Sequence, residues 1–304
     1  LKFTQKPAFT TGSQRVAQDG EDVLAPDASN FDPLEHLTVP GAAMVAAWKQ
    51  DDRGFFIGAK VFLFALSAVP EGYRMEISAN EKVALETCAG AAMVGLRSIT
   101  SMKSVGMNVA SDSFFSLSYT GVKGGFVIVM ADDPQAHSSQ TEQDGRPFGP
   151  NAYVPMLEPS DPAEAKRMVK AAFELSEKYG VPVLMRTTTR VSHQSGIVDL
   201  ERISRKPFEK LPWSHPPGRF VTVADSARAF KLMLLDRTKR LEEEFNGSDL
   251  NEVKDTGSGV GIITSGAGYN YTVDACRTLG VEPSILKLGT THPLPRKVVS
   301  EFLR

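Results

Sequence analysis

The segment Gly125–Met130, GFVIVM, is apolar at nearly every position and runs straight into the polar stretch ADDPQAHSSQTEQDGR at 131–146. A strand with no polar face must be covered on both sides. That condition is met by a central strand of a parallel sheet and not by a half-exposed antiparallel one. Helical and strand patterns alternate around it. Ala42–Trp48 reads as a helix and Phe55-Phe56-Ile57 as a short strand. Asn80 then N-caps a helix that has Glu81 in its first turn and carries Val83, Leu85, Ala89, Ala92, Met93 and Leu96. Ser98–Met102 reads as a strand and Val109–Tyr119 as a helix. Downstream, Ala163–Tyr179 is an amphipathic helix ended by Gly180, and Pro182–Arg186 is the next strand. The alternation predicts an α/β fold with a parallel sheet, whose ligands collect where strands end and loops begin.

Two stretches depart from this texture. Residues 1–40 are rich in Gln, Asp, Pro, Thr and Ser without a sustained apolar period, and read as an extended N-terminal arm wrapped on a partner. Residues 201–256 hold Pro207, Pro212, Pro216 and Pro217, followed by a charged helix over 224–245 whose KRLEEEF end reads as a solvated face. The α/β texture returns from residue 257 with the strand GIIT, a helix Tyr271–Leu279, the strand Ser284–Leu288 and a last helix after Pro295. The organisation expected is an arm (1–40), an α/β domain (41–200), a linker with a charged helix (201–256) and a second, smaller α/β domain (257–304). With two clear strands, that last unit reads as cut short at Arg304, and Leu1 in place of Met reads as a processed or trimmed start.

Composition excludes several classes. A net charge of −2 gives no footprint for nucleic acid or an anionic membrane. The longest apolar run, Val61–Val69, is well short of the ~20 residues of a membrane span, and no secretory signal opens the chain. Cys88 and Cys276 form no CxxC pair and read as buried free thiols of a reducing, cytoplasmic protein. Two cysteines cannot ligate a four-cysteine iron–sulfur cluster.

The densest set of reactive side chains is Asp132, Asp133, His137, Ser138, Ser139, Gln140, Glu142, Gln143, Asp144 and Arg146, directly after the buried strand. Polar residues are ordinary in any loop, but the carboxyl end of a central strand is where α/β sheets bind ligands. Glu81 is the second candidate, although a first-turn glutamate also serves the helix dipole for ~0.3–1 kcal/mol. His193 after TTTRVS reads as structural or as a ligand, and the SGAG turn at 265–268 as a tight turn or a phosphate cradle without the full dinucleotide fingerprint.

Together the segments SANEKVALETCAGAAMVGLRSITSMKSVGMNVASDSFFSLSYTGVKGGFVIVMADDPQAHSSQTEQDGR, VPMLEPSDPAEAKRMVKAAFELSEKYGVPVLMRTTTRVSH and GIITSGAGYNYTVDACRTLGVEPSILKLGTTHPLPRKVVSEFL resemble the alpha subunit of the indolepyruvate ferredoxin oxidoreductases, within the 2-oxoacid:ferredoxin oxidoreductase family. The resemblance covers about residues 76–195 and 259–304. It implies a thiamine-diphosphate-binding domain of the pyrimidine type over 41–200 and a transketolase-C-like domain at the end of the chain. It implies that Glu81 is catalytic, bonding N1′ of the cofactor's aminopyrimidine so that its imino nitrogen can take the thiazolium proton. It also places Lys103, Asn108, His137, Ser138, Ser139, Gln140 and Asp144 at the cofactor or substrate face, with Met102, Val105 and Met107 packing nearby. Further implications are an aryl 2-oxoacid substrate (indolepyruvate or phenylglyoxylate), coenzyme A as cosubstrate and ferredoxin or a similar acceptor. Mg²⁺ ligands and iron–sulfur clusters are expected from partner domains or subunits of the complex. The sequence departs from the family where a GYP-type turn should follow the first strand, since AKVFLFALSAV stands there instead. Two alternatives stay open: a non-catalytic structural subunit of the same fold, or a non-oxidative thiamine-dependent decarboxylase or transferase.

Overall fold

The computed structural model describes residues 54–58, 74–76, 78–137, 139–199 and 218–304. The N-terminal arm, the Ala42–Trp48 helix, AKVFLFALSAV, Ser138 and the prolines of the linker lie outside the described residues. Among the described residues the strands run in chain order as β1 Gly54–Gly58, β2 Arg74–Glu76, β3 Arg97–Lys103, β4 Phe126–Asp132, β5 Met156–Leu157, β6 Val183–Thr188, β7 Asn251–Lys254, β8 Gly261–Ser265, β9 Ser284–Leu288 and β10 Thr290–His292. The helices are α1 Glu81–Met93, α2 Ser104–Thr120, α3 Phe148–Ala152, α4 Pro162–Tyr179, α5 Thr189–Ser192, α6 Ala224–Asn246, α7 Ala267–Leu279 and α8 Arg296–Phe302.

All seven residues of β4 are buried, and β4 lies inside a seven-stranded sheet of order β10-β5-β6-β4-β3-β1-β2. Strands β1 to β6 pair parallel, and β10 joins β5 antiparallel. The alternation of a strand divides β4 between two cores. Phe126, Ile128 and Met130 pack with Leu85, Cys88, Ala89 and Ala92 of α1 and Met107, Ala110, Phe114 and Leu117 of α2. Val127 and Val129 pack on the other face with Met168, Val169, Ala172 and Phe173 of α4. Each of the large side chains buried here stabilises the fold by roughly 1.5–3 kcal/mol.

Local signals set the helix ends. The Asn80 side chain accepts the Val83 N–H at 3.0 Å, and Asp161 does the same for Glu164 at 2.8 Å. Pro162 follows in the first turn of α4, where it gives up no helical bond. Gly180 ends that helix in the left-handed region at φ 62. Helix α2 begins at Ser104, five residues before the patterned part of its sequence. Its first turn follows β3 without a loop, and Gly106 inside it has little apolar signature to read.

The charged helix α6 is less solvated than KRLEEEF suggests. Leu241 and Phe245 are buried in the core beside α4, and Glu244 forms an ion pair with Lys178. A second sheet of order β7-β9-β8 carries the chain's last third. Its antiparallel strand β7 falls within the stretch read as linker, and β10 leaves the small sheet for the large one. Cys88 is buried as expected, whereas Cys276 is only half-buried, because α7 buries none of its residues fully. Neither cysteine forms a disulfide, and the Cys88 thiol donates to the Ile99 carbonyl at 3.5 Å. Among the described residues no helix is long and apolar enough to cross a membrane.

Candidate active site at the carboxyl edge of the sheet

Because β2, β1, β3, β4 and β6 run parallel, the helix that returns the chain from β2 to β3 must start at their carboxyl ends. That places Glu81, the first residue of α1, on the same edge as Lys103 at the end of β3, the loop after β4, and α5 after β6. The half-buried Glu81 side chain crosses the first turn of α2 at Gly106. A Cβ at 106 would lie 2.6 Å from Glu81 Cγ and 2.9 Å from its Oε1. Glycine is therefore what lets the carboxylate lie against α2.

Lys103 and the loop after β4 meet through Asp133, which is 3% exposed. Asp133 Oδ2 accepts the Ser139 N–H at 2.9 Å and stands 4.0 Å from Lys103 Nζ. Lys103 Nζ donates to Ser139 Oγ at 3.1 Å. Asn108 and Gln143 pair amide to amide at 2.8 and 3.0 Å, and Gln143 also reaches the Ser104 carbonyl at 3.5 Å. The loop is thus tied to the end of β3 through Lys103 and to the start of α2 through Gln143. Gln140 is exposed between these ties. His137 lines a cavity of ≈ 460 Å³ together with Thr189, Arg190 and His193, at the ends of β4 and β6. Asp144 is paired with Arg146 at 2.7 Å, and that hydrogen bond holds its carboxyl below the usual carboxylate range.

Of the predicted site residues, Lys103, Asn108, Ser139 and Asp144 fall in one bonded system with the loop, and Glu81 lies on the neighbouring first turn of α2. His137 and His193 line the same cavity, and Ser138 lies outside the described residues. Met102 and Met107 are buried, and Val105 is half-buried. Met107 belongs to the core between α1 and α2.

The sequence reading missed an ion network beneath the loop. Arg186 Nε donates to Asp132 Oδ2 at 2.6 Å, its Nη1 to Glu158 at 2.8 Å, and its Nη2 stands 3.7 Å from Asp144. Asp132 Oδ2 also accepts the Gly145 N–H at 2.9 Å, which closes the loop on itself. The signal was present: FVIVMAD, PMLE and VLMR each end an apolar run with one charge, and charges at the ends of adjacent buried strands must pair. Among the described residues no group of three or more His, Cys, Asp or Glu side chains is arranged to hold a metal ion.

Comparison with known proteins agrees with this geometry. Residues 61–220 match the pyruvate flavodoxin/ferredoxin oxidoreductase, thiamine diphosphate-binding family. The chain belongs to that family. Among its relatives is the indolepyruvate oxidoreductase subunit IorA of Methanothermobacter thermautotrophicus, 50% identical over 234 residues, which are 76% of this chain and 38% of the relative. The same subunit of Archaeoglobus fulgidus is 45% identical over 231 residues, 76% of this chain and 37% of that protein. In Thermococcus kodakarensis it is 47% identical over 246 residues, 78% and 38%. The chain therefore spans under two-fifths of the length of these relatives. A solved 2-oxoglutarate:ferredoxin oxidoreductase from Magnetococcus marinus, with 2-oxoglutarate, coenzyme A and succinyl-CoA bound, is similar in fold at TM-score 0.63 and 13% identity, over 88% of this chain and 55% of that one. A split-gene transketolase, an inactive beta4 tetramer, is similar at TM-score 0.51 and 16% identity, over 86% and 73%.

Proposed function

We propose that this chain is the cofactor-activating part of a thiamine-diphosphate-dependent 2-oxoacid oxidoreductase. The reaction is oxidative decarboxylation of an aryl 2-oxoacid of the indolepyruvate or phenylglyoxylate type to acyl-CoA and CO2, with electrons passed to ferredoxin or a similar acceptor. The observation that carries this reading is Glu81, held by a capped helix start against the glycine turn of α2 at the carboxyl edge of the sheet. The identity of the IorA relatives supports the substrate class.

The residues suit the group. Bound thiamine diphosphate supplies the thiazolium that accepts the electron pair as carbon dioxide leaves. Glu81 holds a proton at N1′ of the aminopyrimidine and returns it, a task that a carboxyl can perform and an amide cannot. Gly106 gives the Glu81 side chain the room to lie against α2. Lys103, Ser139, Asn108 and the loop residues His137, Gln140 and Asp144 line the cofactor and substrate face, and Asp133 fixes the loop; Ser138, expected there too, lies outside the described residues. His137, Arg190 and His193 present donors to a 2-oxoacid carboxylate in the cavity they line. Mg²⁺ ligands and iron–sulfur clusters come from the remainder of the complex.

The test is 2-oxoacid-dependent reduction of a viologen dye by the full-length assembled protein, with thiamine diphosphate and coenzyme A present. Arylpyruvates, phenylglyoxylate, pyruvate and 2-oxoglutarate are compared. The expected result is reduction that favours an aryl substrate and falls by at least ~100-fold in Glu81→Gln. No reduction with any 2-oxoacid, in an assembly that retains its cofactors, overturns the reading in favour of a structural subunit. Carbon dioxide release without dye reduction favours a non-oxidative decarboxylase.

A further inference from the structure

Helix α6 runs for 23 residues, and its two sides differ. On the inner side Leu234, Leu241 and Phe245 are buried, and Arg237 donates to the Ser118 carbonyl of α2 at 2.9 Å. These contacts fix the rotation of the helix about its axis. The outer side therefore carries a defined stripe, Asp225, Arg228, Ala229, Leu232 and Leu235, continued by Asp236 and Lys239, and every member is exposed. Their spacing by three and four residues keeps them on one face. Leu232 at the centre is 64% exposed, Met233 beside it 61% and Leu235 41%. An apolar centre flanked by charges on both sides has the anatomy of an interface. Outside the stripe Glu242 and Glu244 pair with Arg296 and Lys178. None of Asp225, Arg228, Asp236 and Lys239 forms an ion pair among the described residues.

The order of the charges selects the occupant. Along the stripe it reads acid, base, apolar centre, acid, base. The acids and bases cancel, so nothing in it favours a strongly acidic or strongly basic partner. Turned end for end about Leu232, however, the stripe meets its own complement. Asp225 comes opposite Lys239, Arg228 opposite Asp236, Ala229 opposite Leu235, and Leu232 opposite itself. A two-fold axis repeats each charge pair, so opposite charges flank the apolar centre at both ends. A parallel pairing in register would instead set every charge against its like. We propose that α6 packs antiparallel against α6 of a second copy of this chain, with the two-fold axis at Leu232. Such a contact uses the same patch on both copies and closes on itself, so it yields a dimer and not a filament. Leu232, Leu235 and Ala229 leave water there, and the unpaired charges of the stripe gain partners.

The experiment is disulfide cross-linking of the full-length protein, which needs neither cofactor nor substrate and is independent of the proposed activity. A residue on the axis faces its own copy. Leu232→Cys is therefore expected to give a covalent dimer on mild oxidation, with the bond located at 232–232 by peptide mass mapping. Asp225→Cys and Lys239→Cys are expected to cross-link with each other in a mixture, and far more slowly each with itself. Charge reversal then tests the pairing. In the Leu232→Cys protein, adding Asp236→Arg is expected to slow the 232–232 bond about tenfold or more, and adding Arg228→Asp as well to restore it. All the substituted residues are exposed, so the fold is expected to tolerate them. No 232–232 bond at protein concentrations up to ~0.5 mM overturns the proposal and leaves the stripe to another part of the complex. So does a 232–232 bond whose rate ignores the charge reversal. Faster cross-linking of Asp225→Cys with itself than with Lys239→Cys overturns it too.

Discussion

Arg186 on β6 bonds Asp132 on the adjacent strand β4 at 2.6 Å, with 9% of the arginine and 1% of the aspartate exposed. The parallel register pairs Met130 with Arg186, so the guanidinium reaches two residues along β4 to meet the carboxylate where the strand ends. With Glu158 at 2.8 Å on its other side, one cation neutralises two buried carboxylates. Arg186→Met leaves both of them uncompensated. The expected loss of stability is ~3–5 kcal/mol, measured by urea denaturation. A loss below about 1 kcal/mol would mean that water already solvates this network.

Gly106 and Glu81 make a second prediction, which separates activity from stability. In Gly106→Ala the new methyl occupies the path of the Glu81 side chain, at 2.6 Å from Cγ. Glu81 is half-buried and has room to swing away, and alanine favours helix by roughly 0.5–1 kcal/mol. The fold is therefore expected to persist, with a denaturation midpoint near the parent's. On the function proposed above, viologen reduction by the assembled protein is expected to fall at least ~10-fold, because the carboxylate would be displaced from the N1′ atom it is proposed to bond.

Asp133 governs the loop. Asp133→Ala removes the acceptor of the Ser139 N–H and the carboxylate facing Lys103. The expected cost is ~1–3 kcal/mol. Hydrogen–deuterium exchange is expected to rise across residues 137–143 and to stay unchanged in α4. Equal exchange in both proteins would show that the Lys103–Ser139 and Asn108–Gln143 bonds hold the loop without Asp133.

His292 predicts an acid limb of stability. Burial lowers its pKa from 6.5 to about 4, and its Nε2 has no partner among the described residues. The unfolded chain therefore takes up a proton that the folded one refuses. Stability is expected to decline as the pH falls from about 6.5 to about 4 and to level off below that, by about 3 kcal/mol at most. His292→Gln should flatten that span of the stability–pH curve, measured by thermal denaturation at intervals of half a pH unit.

The sheet, its parallel sense and most element ends were legible in the sequence because they depend on local rules. An all-apolar run demands cover on both faces. Asn80 and Gly180 mark helix ends by their own side-chain and backbone chemistry, and the strand read at Ser284–Leu288 has those bounds. The loop after β4 was legible as a place, since strand ends in such sheets collect ligands. Less was legible where a segment's partner is distant in the chain. Strand β7 exists because β9 pairs with it, β10 because β5 does, and the buried face of α6 because α4 covers it.

The candidate site divides in the same way. Residue types and order put Glu81, Lys103 and the loop on one list, but only the folded chain lays Glu81 across Gly106, hangs the loop from Asp133 and puts His137 and His193 on the lining of one cavity. Asp132 and Arg186 lie on two strands and Glu158 directly follows a third, 54 and 28 residues from the arginine in the chain. Each stands at the end of an apolar run in its own segment. Pairing them required the sheet, because attraction between buried charges acts across space rather than along the chain. The sequence by itself determined which segments must be buried and where their ends expose polar groups; the tertiary structure decided which of those groups meet.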